Sequence, residues 1–371
     1  MYRIAVGSLF FLLGLCFASW ASRIPTIQHN LKLNESQLGA ILFSIPIGSL
    51  VSLPLAGWLV AKLGSRKVVT LAILIYGVML VGIGAAQSVL HLTIALFFFG
   101  FVGNLTNISI NTQAIGVEAL YKKSIMASFH GLWSLAGFMG AGLGAYMIGK
   151  GIIPVQHFSL VLVLVVVAAL ISTWFLLPED TNKNKNQPIF VKPDKSLINL
   201  GIIAFCCMIC EGAMFDWSGV YFKKVVLAKQ AWVAAGYTAF MCTMALSRFF
   251  ADSFTQKFGF KATIQVSGIL TACGLMIAVL FPDLITALIG FLLVGAGVSS
   301  VVPLVYGEAG KSNRMSPSVA LAAVSTIGFL GFLVGPPLIG LVAGATSLRV
   351  SFTIIAFMGL CITFMASKSS T

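Results

Sequence analysis

The feature that most constrains this chain is a series of long apolar segments separated by short polar breaks. Each segment has about 20 residues, the length that an α-helix needs to cross the hydrocarbon core of a bilayer. Twelve segments qualify, at about 4–26, 38–60, 68–87, 92–115, 127–149, 157–177, 197–219, 232–252, 261–281, 285–306, 318–343 and 348–366. We therefore predict an all-α polytopic membrane protein with 12 transmembrane helices.

The composition excludes a soluble fold. Apolar residues make up 58% of the chain and charged residues 9%, against about a quarter charged in ordinary soluble domains. The first apolar run has only Arg3 before it and no small-residue cleavage site followed by a soluble domain. We expect it to be a retained helix rather than a cleaved signal peptide.

The segments divide into two groups of six. The stretch 178–196 is rich in Asn, Lys and Pro and is predicted to be a cytoplasmic linker between bundles at 1–177 and 197–371. The two bundles share sequence patterns in the same order: SWASRIP near Trp20 aligns with DWSGVYF near Trp217, and AKLGSRK aligns with QKFGFKA. The alignment also places Glu118 opposite Glu308. Such internal repeats are typical of alternating-access transporters.

The basic residues predict the orientation. With both termini in the cytoplasm, sixteen of the 23 Lys and Arg residues lie on the inner side and seven on the outer side. An excess of Lys and Arg in cytoplasmic loops is the usual bias. We expect a multi-pass protein of the bacterial inner (plasma) membrane, acting as a monomer.

Several other functions are excluded. The net charge of +13 does not indicate nucleic-acid binding, because the basic residues are spread over short loops without interleaved aromatic residues. All seven Cys lie inside apolar segments, where thiols pack as small hydrophobes, so no metal site is expected. The GxSxG and HExxH motifs of hydrolases and the P-loop of ATPases are not found. We predict no enzyme activity and no cofactor.

Two acidic residues fall inside the seventh apolar segment. Glu211 is near its middle and Asp216 is nearer its outer end. A charge at bilayer depth costs at least about 2.5 kcal/mol, so each needs a partner or a function. Their directions on a helix differ by about 140°, and we do not expect both to face one narrow cavity.

Other polar and aromatic residues are candidates for solute binding. Asn104, Asn107 and Asn111 share one face of the fourth helix, either as hydrogen-bonding groups for a solute or as interhelical contacts. His130, with Trp133 one turn on, is a candidate proton relay or an interfacial residue. Arg23 either extends to the headgroups or binds an acidic group. The candidate aromatic binding residues are Trp20, Trp133, Trp217, Tyr221 and Tyr306.

The loop after the second helix carries a recognisable motif. GWLVAKLGSRK, with Gly57, Lys62, Gly64 and Arg66, resembles the signature loop of the major facilitator superfamily, although Ala61 stands where an acid is usual. The second copy, RFFADSFTQKFGFK, supplies Arg248, Asp252, Lys257 and Gly259 as a charged latch. We assign a gating role to both loops and to Glu118 and Glu308.

The resemblance extends over nearly the whole chain. ASWASRIP, HGLWSLAGFMGAGLGA, EGAMFDWSGVY and FLVGPPLIGL are similar to a MosC/YbjJ-like bacterial branch of that superfamily. The resemblance implies two pseudo-symmetric six-helix bundles, alternating access, and a central cavity lined by the first, fourth, seventh and tenth helices. Glu211 is then the preferred proton carrier, with Asp216 and His130 as further candidates. The implied function is transport of a small polar organic solute, such as a sugar, cyclitol or amine, driven by the proton gradient. Efflux of amphiphilic drugs or metabolites is the alternative.

Overall fold

A computed structural model describes residues 1–121, 125–179, 195–309 and 317–368. These residues form helices without strands, as the apolar segments predict. The helices are α1 Tyr2–Asn30, α2 Glu35–Leu42, α3 Ser44–Leu63, α4 Ser65–Gly84, α5 Val89–Tyr121, α6 Met126–Gly149, α7 Pro154–Thr173, α8 Lys195–Lys224, α9 Ala235–Leu280, α10 Leu284–Val298, α11 Val301–Ala309, α12 Pro317–Ala345 and α13 Leu348–Ser367. A single 3₁₀ turn, Gln230–Trp232, precedes α9.

The helices match the predicted membrane-spanning segments. In the described ranges, eleven helical segments are long and apolar enough to cross a membrane. Helix α9 is 46 residues long and consists of two helical segments that meet at Gly259, where φ is 81° and ψ is 163°. These two segments correspond to the predicted eighth and ninth spans. The prediction of an all-α polytopic membrane protein is confirmed.

The chain folds into two compact units, Met1–Lys183 and Asn184–Thr371. In the first unit, α1 packs on α6 and α7, while α3 and α4 pack on α5. In the second unit, α8 packs on α12 and α13, while α9 packs on α10 and α13. The corresponding spans of the two halves therefore have corresponding neighbours. The predicted linker at 178–196 lies for the most part outside the described residues.

Two of the predicted spans are each divided into two helices. Helices α2 and α3 meet at Phe43, three residues before Pro46, and α10 and α11 meet at Ser299 and Ser300. In contrast, α12 continues through Pro336 and Pro337. A proline lacks a backbone N–H donor. A membrane helix tolerates it where neighbouring groups satisfy the backbone carbonyl that it leaves free.

Glycine residues bring α3 and α5 into close contact. A Cβ atom at Gly48 would collide with the Phe97 carbonyl oxygen, and a Cβ atom at Gly100 would collide with the Ile45 carbonyl oxygen. Ser49 Oγ donates to the Gly100 carbonyl at 3.0 Å across the same contact. This packing is how membrane helices associate when the lipid is as apolar as their side chains.

Candidate functional site

The first unit contains a buried polar cluster formed by α1 and α7, which we call the Arg23 cluster: Ser19, Trp20, Arg23 and His157. Arg23 Nε donates to His157 Nδ1 at 3.1 Å, and Arg23 and His157 are 2% and 0% exposed. Gly144 of α6 makes room for the cluster, because a Cβ atom there would collide with Ser22 Oγ and lie 3.7 Å from the His157 ring. The sequence predicted neither His157 nor its contact with Arg23.

The Arg23 cluster has more donors than acceptors. Since His157 Nδ1 accepts from Arg23, the imidazole is neutral and carries its proton on Nε2. Buried Arg23 Nη2, His157 Nε2, Trp20 Nε1 and Ser19 Oγ make no hydrogen bond with any described residue. A buried polar group without a partner costs about 1–3 kcal/mol. The cluster is thus suited to a ligand or water that supplies acceptor oxygens.

The second unit contains a buried ionic cluster around Glu211 of α8, which we call the Glu211 cluster. The Glu211 carboxylate, on a side chain that is 8% exposed, interacts electrostatically with the Arg248 guanidinium of α9. Arg248 Nε also donates to the Ser299 carbonyl at 3.3 Å, at the break between α10 and α11. The tyrosine hydroxyls of Tyr237 and Tyr306 lie within the electrostatic influence of Glu211. An acid and a base on α8 and α9 therefore influence each other electrostatically within this unit.

Asp216 lies in a separate environment on the same helix. It is half-buried and interacts with the Tyr237 hydroxyl, which is also influenced by Glu211. That hydroxyl and the neighbouring Trp217 Nε1 are buried and make no hydrogen bond with the described residues. Both carboxylates thus influence Tyr237 electrostatically. The role of Asp216 in proton coupling stays a prediction.

The predicted aromatic residues differ in their surroundings. Trp20, Trp217 and Tyr221 are fully buried. Tyr221 stacks on Phe352 with 4.3 Å between ring centroids and donates to the Ala278 carbonyl at 2.9 Å, so it ties α8 to α9 and α13. Tyr306 hydrogen bonds with Ser325 next to Glu211. The binding roles of these residues stay predictions.

The asparagine stripe on α5 is divided by its contacts. Asn104 Nδ2 donates to the Ser49 carbonyl at 3.0 Å and to Ser52 Oγ at 2.7 Å, so Asn104 binds α3. Asn111 Nδ2 instead donates to Asn107 Oδ1 at 3.0 Å, and Asn107 is exposed. The two amides therefore form a pair on α5.

One of the predicted gating residues, Glu118, caps a helix. Glu118 Oε2 accepts from the backbone N–H groups of Ile125 and Met126 at 2.7 and 2.9 Å, which caps the N-terminus of α6. His130 is exposed, with its ring 5.2 Å from that of Phe10, and Trp133 lies 6.4 Å from Phe17. Glu308, at the end of α11, has an interaction partner of its own.

The signature loop between α3 and α4 is anchored from α5. Buried Gln113 donates to Ser65 Oγ at 2.7 Å and exchanges two hydrogen bonds with the Leu177 backbone. The turn passes through Gly64, where φ is 82°. Lys62 stacks over the Trp58 ring at 4.6 Å. The sequence reasoning missed Gln113, although a glutamine within an apolar helix is a signal of the same kind as the asparagines.

The second copy of this loop has the same turn at Gly259. The residues of the predicted charged latch lie along α9. Lys257 is exposed with its ammonium over the Phe258 ring at 5.3 Å, and the side chain of Asp252 lies outside the described residues. Arg248 donates to the Ser299 carbonyl and interacts electrostatically with Glu211 within the unit. Gly57 and Arg66 lie in the helical parts of the first loop, and a Cβ atom at Gly57 would contact nothing within 4 Å.

The chain is similar to known membrane transporters. Residues 6–316 match the family model described as Major Facilitator Superfamily. An uncharacterized MFS-type transporter of Yersinia pestis is 32% identical over 360 residues, covering 97% of this chain and 94% of that protein. The membrane protein MosC of Rhizobium meliloti is 31% identical over 362 residues, covering 96% of this chain and 88% of MosC.

Solved structures share the fold. The crystal structure of the nucleoside transporter NupG matches with a TM-score of 0.77 at 14% identity, covering 99% of this chain and 98% of NupG. A bacterial homologue of the human lysosomal transporter Spinster, in an inward-facing and occupied conformation, matches with a TM-score of 0.77 at 16% identity and covers 99% of this chain and 96% of that one.

Proposed function

Since the chain belongs to the major facilitator superfamily and is a multi-pass membrane transporter, we propose that it carries a small polar organic solute by alternating access, coupled to the proton gradient. Glu211 is the proton carrier. The observation that carries this proposal is the buried Glu211 side chain, 8% exposed, whose carboxylate interacts electrostatically with the Arg248 guanidinium of α9. Ionisable side chains inside a membrane are expensive, so they usually mark an ion or substrate pathway.

The Glu211 cluster supplies the elements that proton coupling needs. Desolvation favours the neutral form of a carboxyl group, while a neighbouring guanidinium favours the ionised form. Any change that separates Arg248 from Glu211 thus promotes uptake of a proton, and any change that restores the contact promotes its release. Arg248 is also bound to the carbonyl at the α10–α11 break, so a shift of either helix alters this contact. Proton binding and helix movement become linked.

The polar nature of the solute is supported by groups in the first unit. The Arg23 cluster has donors without acceptors among the described residues, and Asn111 donates to Asn107 on the same helix. An amphiphilic drug needs few such groups, whereas a sugar, cyclitol or amine has hydroxyl or amino groups that match them. The coupling ion, the direction and the solute are parts of the proposal.

A ligand screen tests the solute class. Purified protein is heated with sugars, polyols, amino acids, nucleosides and amphiphilic drugs at two pH values, and the midpoint of unfolding is measured. A ligand that binds only the folded state raises the midpoint, and the rise grows with the ratio of ligand concentration to Kd. Stabilisation by one class of polar solute is expected. Stabilisation by amphiphilic drugs alone would replace the proposal with the efflux alternative.

Proteoliposome transport of the solute found in the screen tests the coupling. Glu211→Gln keeps the size of the side chain and removes its titration. We expect this variant to lose accumulation driven by a pH gradient by at least about tenfold, while exchange of internal for external solute continues. Asp216→Asn on the same helix is the comparison. Full pH-driven accumulation by Glu211→Gln would contradict the assignment of the proton carrier, whatever the solute.

Variants of the asparagine pair separate the two solute classes. Asn107→Ala and Asn111→Ala remove the amides, and transport of a polar solute should fall while efflux of an amphiphilic drug should continue. Asn104→Ala is not a suitable substitute, because Asn104 holds α3 and α5 together. Transport by these variants equal to wild type would remove the asparagine pair from the proposed binding site.

A further inference from the structure

An apolar crevice opens on the first unit along α1. It has a volume of about 560 Å³ and is lined by side chains of α1, α6 and α7 that are almost all hydrocarbon. Phe11, Leu12 and Leu15 form its floor on α1, and Leu132 and Leu164 stand on the neighbouring helices. All three helices are long and apolar enough to span a membrane. Ile4 and Leu164, which line the crevice, are exposed, so it is a slot that opens on an exposed apolar face of these helices.

Small residues create the slot. Gly7 and Ser8 on α1 and Ala168 on α7 are the small residues that line it. The Ser8 hydroxyl donates to the Ile4 carbonyl of its own helix at 2.9 Å, so it presents no free donor to the slot. No polar ligand has a reason to bind there. An apolar chain does have a reason to bind, because it gives dispersion contacts to side chains that would otherwise line an empty space.

One end of the crevice carries a positive charge. Arg3 lines it at the start of α1, and its Nη2 donates to Ser128 Oγ at 3.2 Å. The other donors of this exposed guanidinium make no hydrogen bond with the described residues. The first turn of α1 has no acidic residue, and the positive end of the helix dipole lies beside Arg3. This end is suited to a phosphate, which guanidinium groups bind in a bidentate manner.

We propose that the crevice binds one phospholipid of the surrounding membrane, with an acyl chain along α1 and the phosphate at Arg3, and that it favours anionic headgroups. Twelve residues separate Arg3 from Leu15, and a helix rises 1.5 Å per residue, so the slot extends about 18 Å from the phosphate. Half of a hydrocarbon core is about 15 Å thick. The slot therefore has the depth of one leaflet. This inference does not depend on the solute or on proton coupling.

Native mass spectrometry tests the inference on the full chain. Protein in nanodiscs of phosphatidylglycerol or phosphatidylcholine is released into mild detergent, and the phospholipid retained per chain is counted. The wild type should retain one phospholipid, more often phosphatidylglycerol. Arg3→Gln should lower this retention about tenfold, because a charge-assisted bond to phosphate is lost. Arg3→Lys should keep the preference for the anionic lipid in part.

The acyl chain is tested by filling the slot. Ala168→Leu places a side chain in the crevice and should lower retention of both lipids, whereas Ala119→Leu, at an exposed alanine of α5 outside the crevice, should not. Lys67→Gln, which removes an exposed charge on α4, is the control for Arg3→Gln. Arg3 is exposed with one hydrogen bond, so its variants fold even if Ala168→Leu does not. Retention by Arg3→Gln equal to wild type would overturn the phosphate site, and equal retention by all variants would overturn the slot.

Discussion

Arg23 and His157 show how one buried residue depends on another that is 134 positions away. His157→Ala removes the acceptor of the Arg23 Nε–H and leaves a further buried donor without a partner. We expect the free energy of unfolding to fall by about 1–3 kcal/mol. Gln156→Ala, at the exposed position next to it on α7, should change it by less than about 0.5 kcal/mol. Thermal and denaturant unfolding in detergent measure both.

A double variant distinguishes pairing from packing. Arg23→Met with His157→Phe replaces both polar groups by apolar side chains of similar size, and this replacement is often nearly neutral where removal of one partner is not. The double variant should therefore recover most of the stability that His157→Ala loses. The loss of stability in the double variant is compared with the losses of Arg23→Met and His157→Phe made singly. If it equals their sum, the contact contributes nothing and the two residues act independently.

The sequence predicted which residues carry unusual chemistry but not which of them meet. Arg23, Glu211 and Arg248 stand out because a charge within an apolar segment is expensive. The pairing of Arg23 with His157 depends on how α1 and α7 are packed, and no local pattern contains that information. Arg23 was expected at the headgroups or beside an acid, and it is instead buried against an imidazole. Asn104, Asn107 and Asn111 share a face as predicted, but Asn104 binds α3 whereas Asn111 binds Asn107 on its own helix.

At the scale of helices, the contact between α3 and α5 depends on two glycines. Gly48→Ala and Gly100→Ala each place a methyl group against a backbone carbonyl that no rotamer change can move. Each should lower the free energy of unfolding by about 1–3 kcal/mol, as overpacking does. Gly82→Ala on α4 is the control, because a Cβ atom there meets nothing within 4 Å and alanine favours the helix. Stability of Gly100→Ala equal to that of Gly82→Ala would show that the helices are free to separate.

The turns at Gly64 and Gly259, which join helical segments, require an unusual backbone conformation. Both have φ near 80° with an extended ψ, a conformation that costs other residues about 1–3 kcal/mol. Gly64→Ala and Gly259→Ala should each destabilise the protein by that amount although a Cβ atom at either position has open space around it. Gly57→Ala, in the helical part of the first loop, should be tolerated. Unfolding in detergent compares the three, and tolerance at Gly64 would contradict a backbone requirement.

The lengths of the apolar runs predicted the helices well, while the breaks within them were not predictable. Phe43 ends α2 without a glycine or proline at that position, and the division of the tenth span at Ser299 and Ser300 follows a Gly-rich sequence that elsewhere stays helical. Pro336 and Pro337 lie within a continuous helix. Membrane helices bend where neighbouring side chains accept or donate the displaced hydrogen bonds, as Arg248 does at Ser299. These neighbours come from other parts of the sequence.

For the whole molecule, the repeat is the most informative property. The alignment of Gly64 with Gly259 came from sequence alone, and both glycines adopt the same backbone conformation. The helices of the two units also have corresponding neighbours. Fold and transporter class follow from properties that the whole chain repeats. The identity of the solute cannot be predicted from the repeat. Solute binding depends on a few side chains, and these differ between the two halves.

The orientation of the chain gives a prediction that belongs to the whole molecule. The positive-inside bias depends on all loops together, and it places the α3–α4 loop in the cytoplasm and the α6–α7 loop outside. A cysteine at Lys150, which is exposed at the end of α6, should react with a membrane-impermeant maleimide on intact cells. A cysteine at Lys67, which is exposed at the start of α4, should react only after the membrane is permeabilised. The native cysteines lie within helices, and the unsubstituted chain measures their background. The reverse pattern would mean that the basic residues do not set the topology.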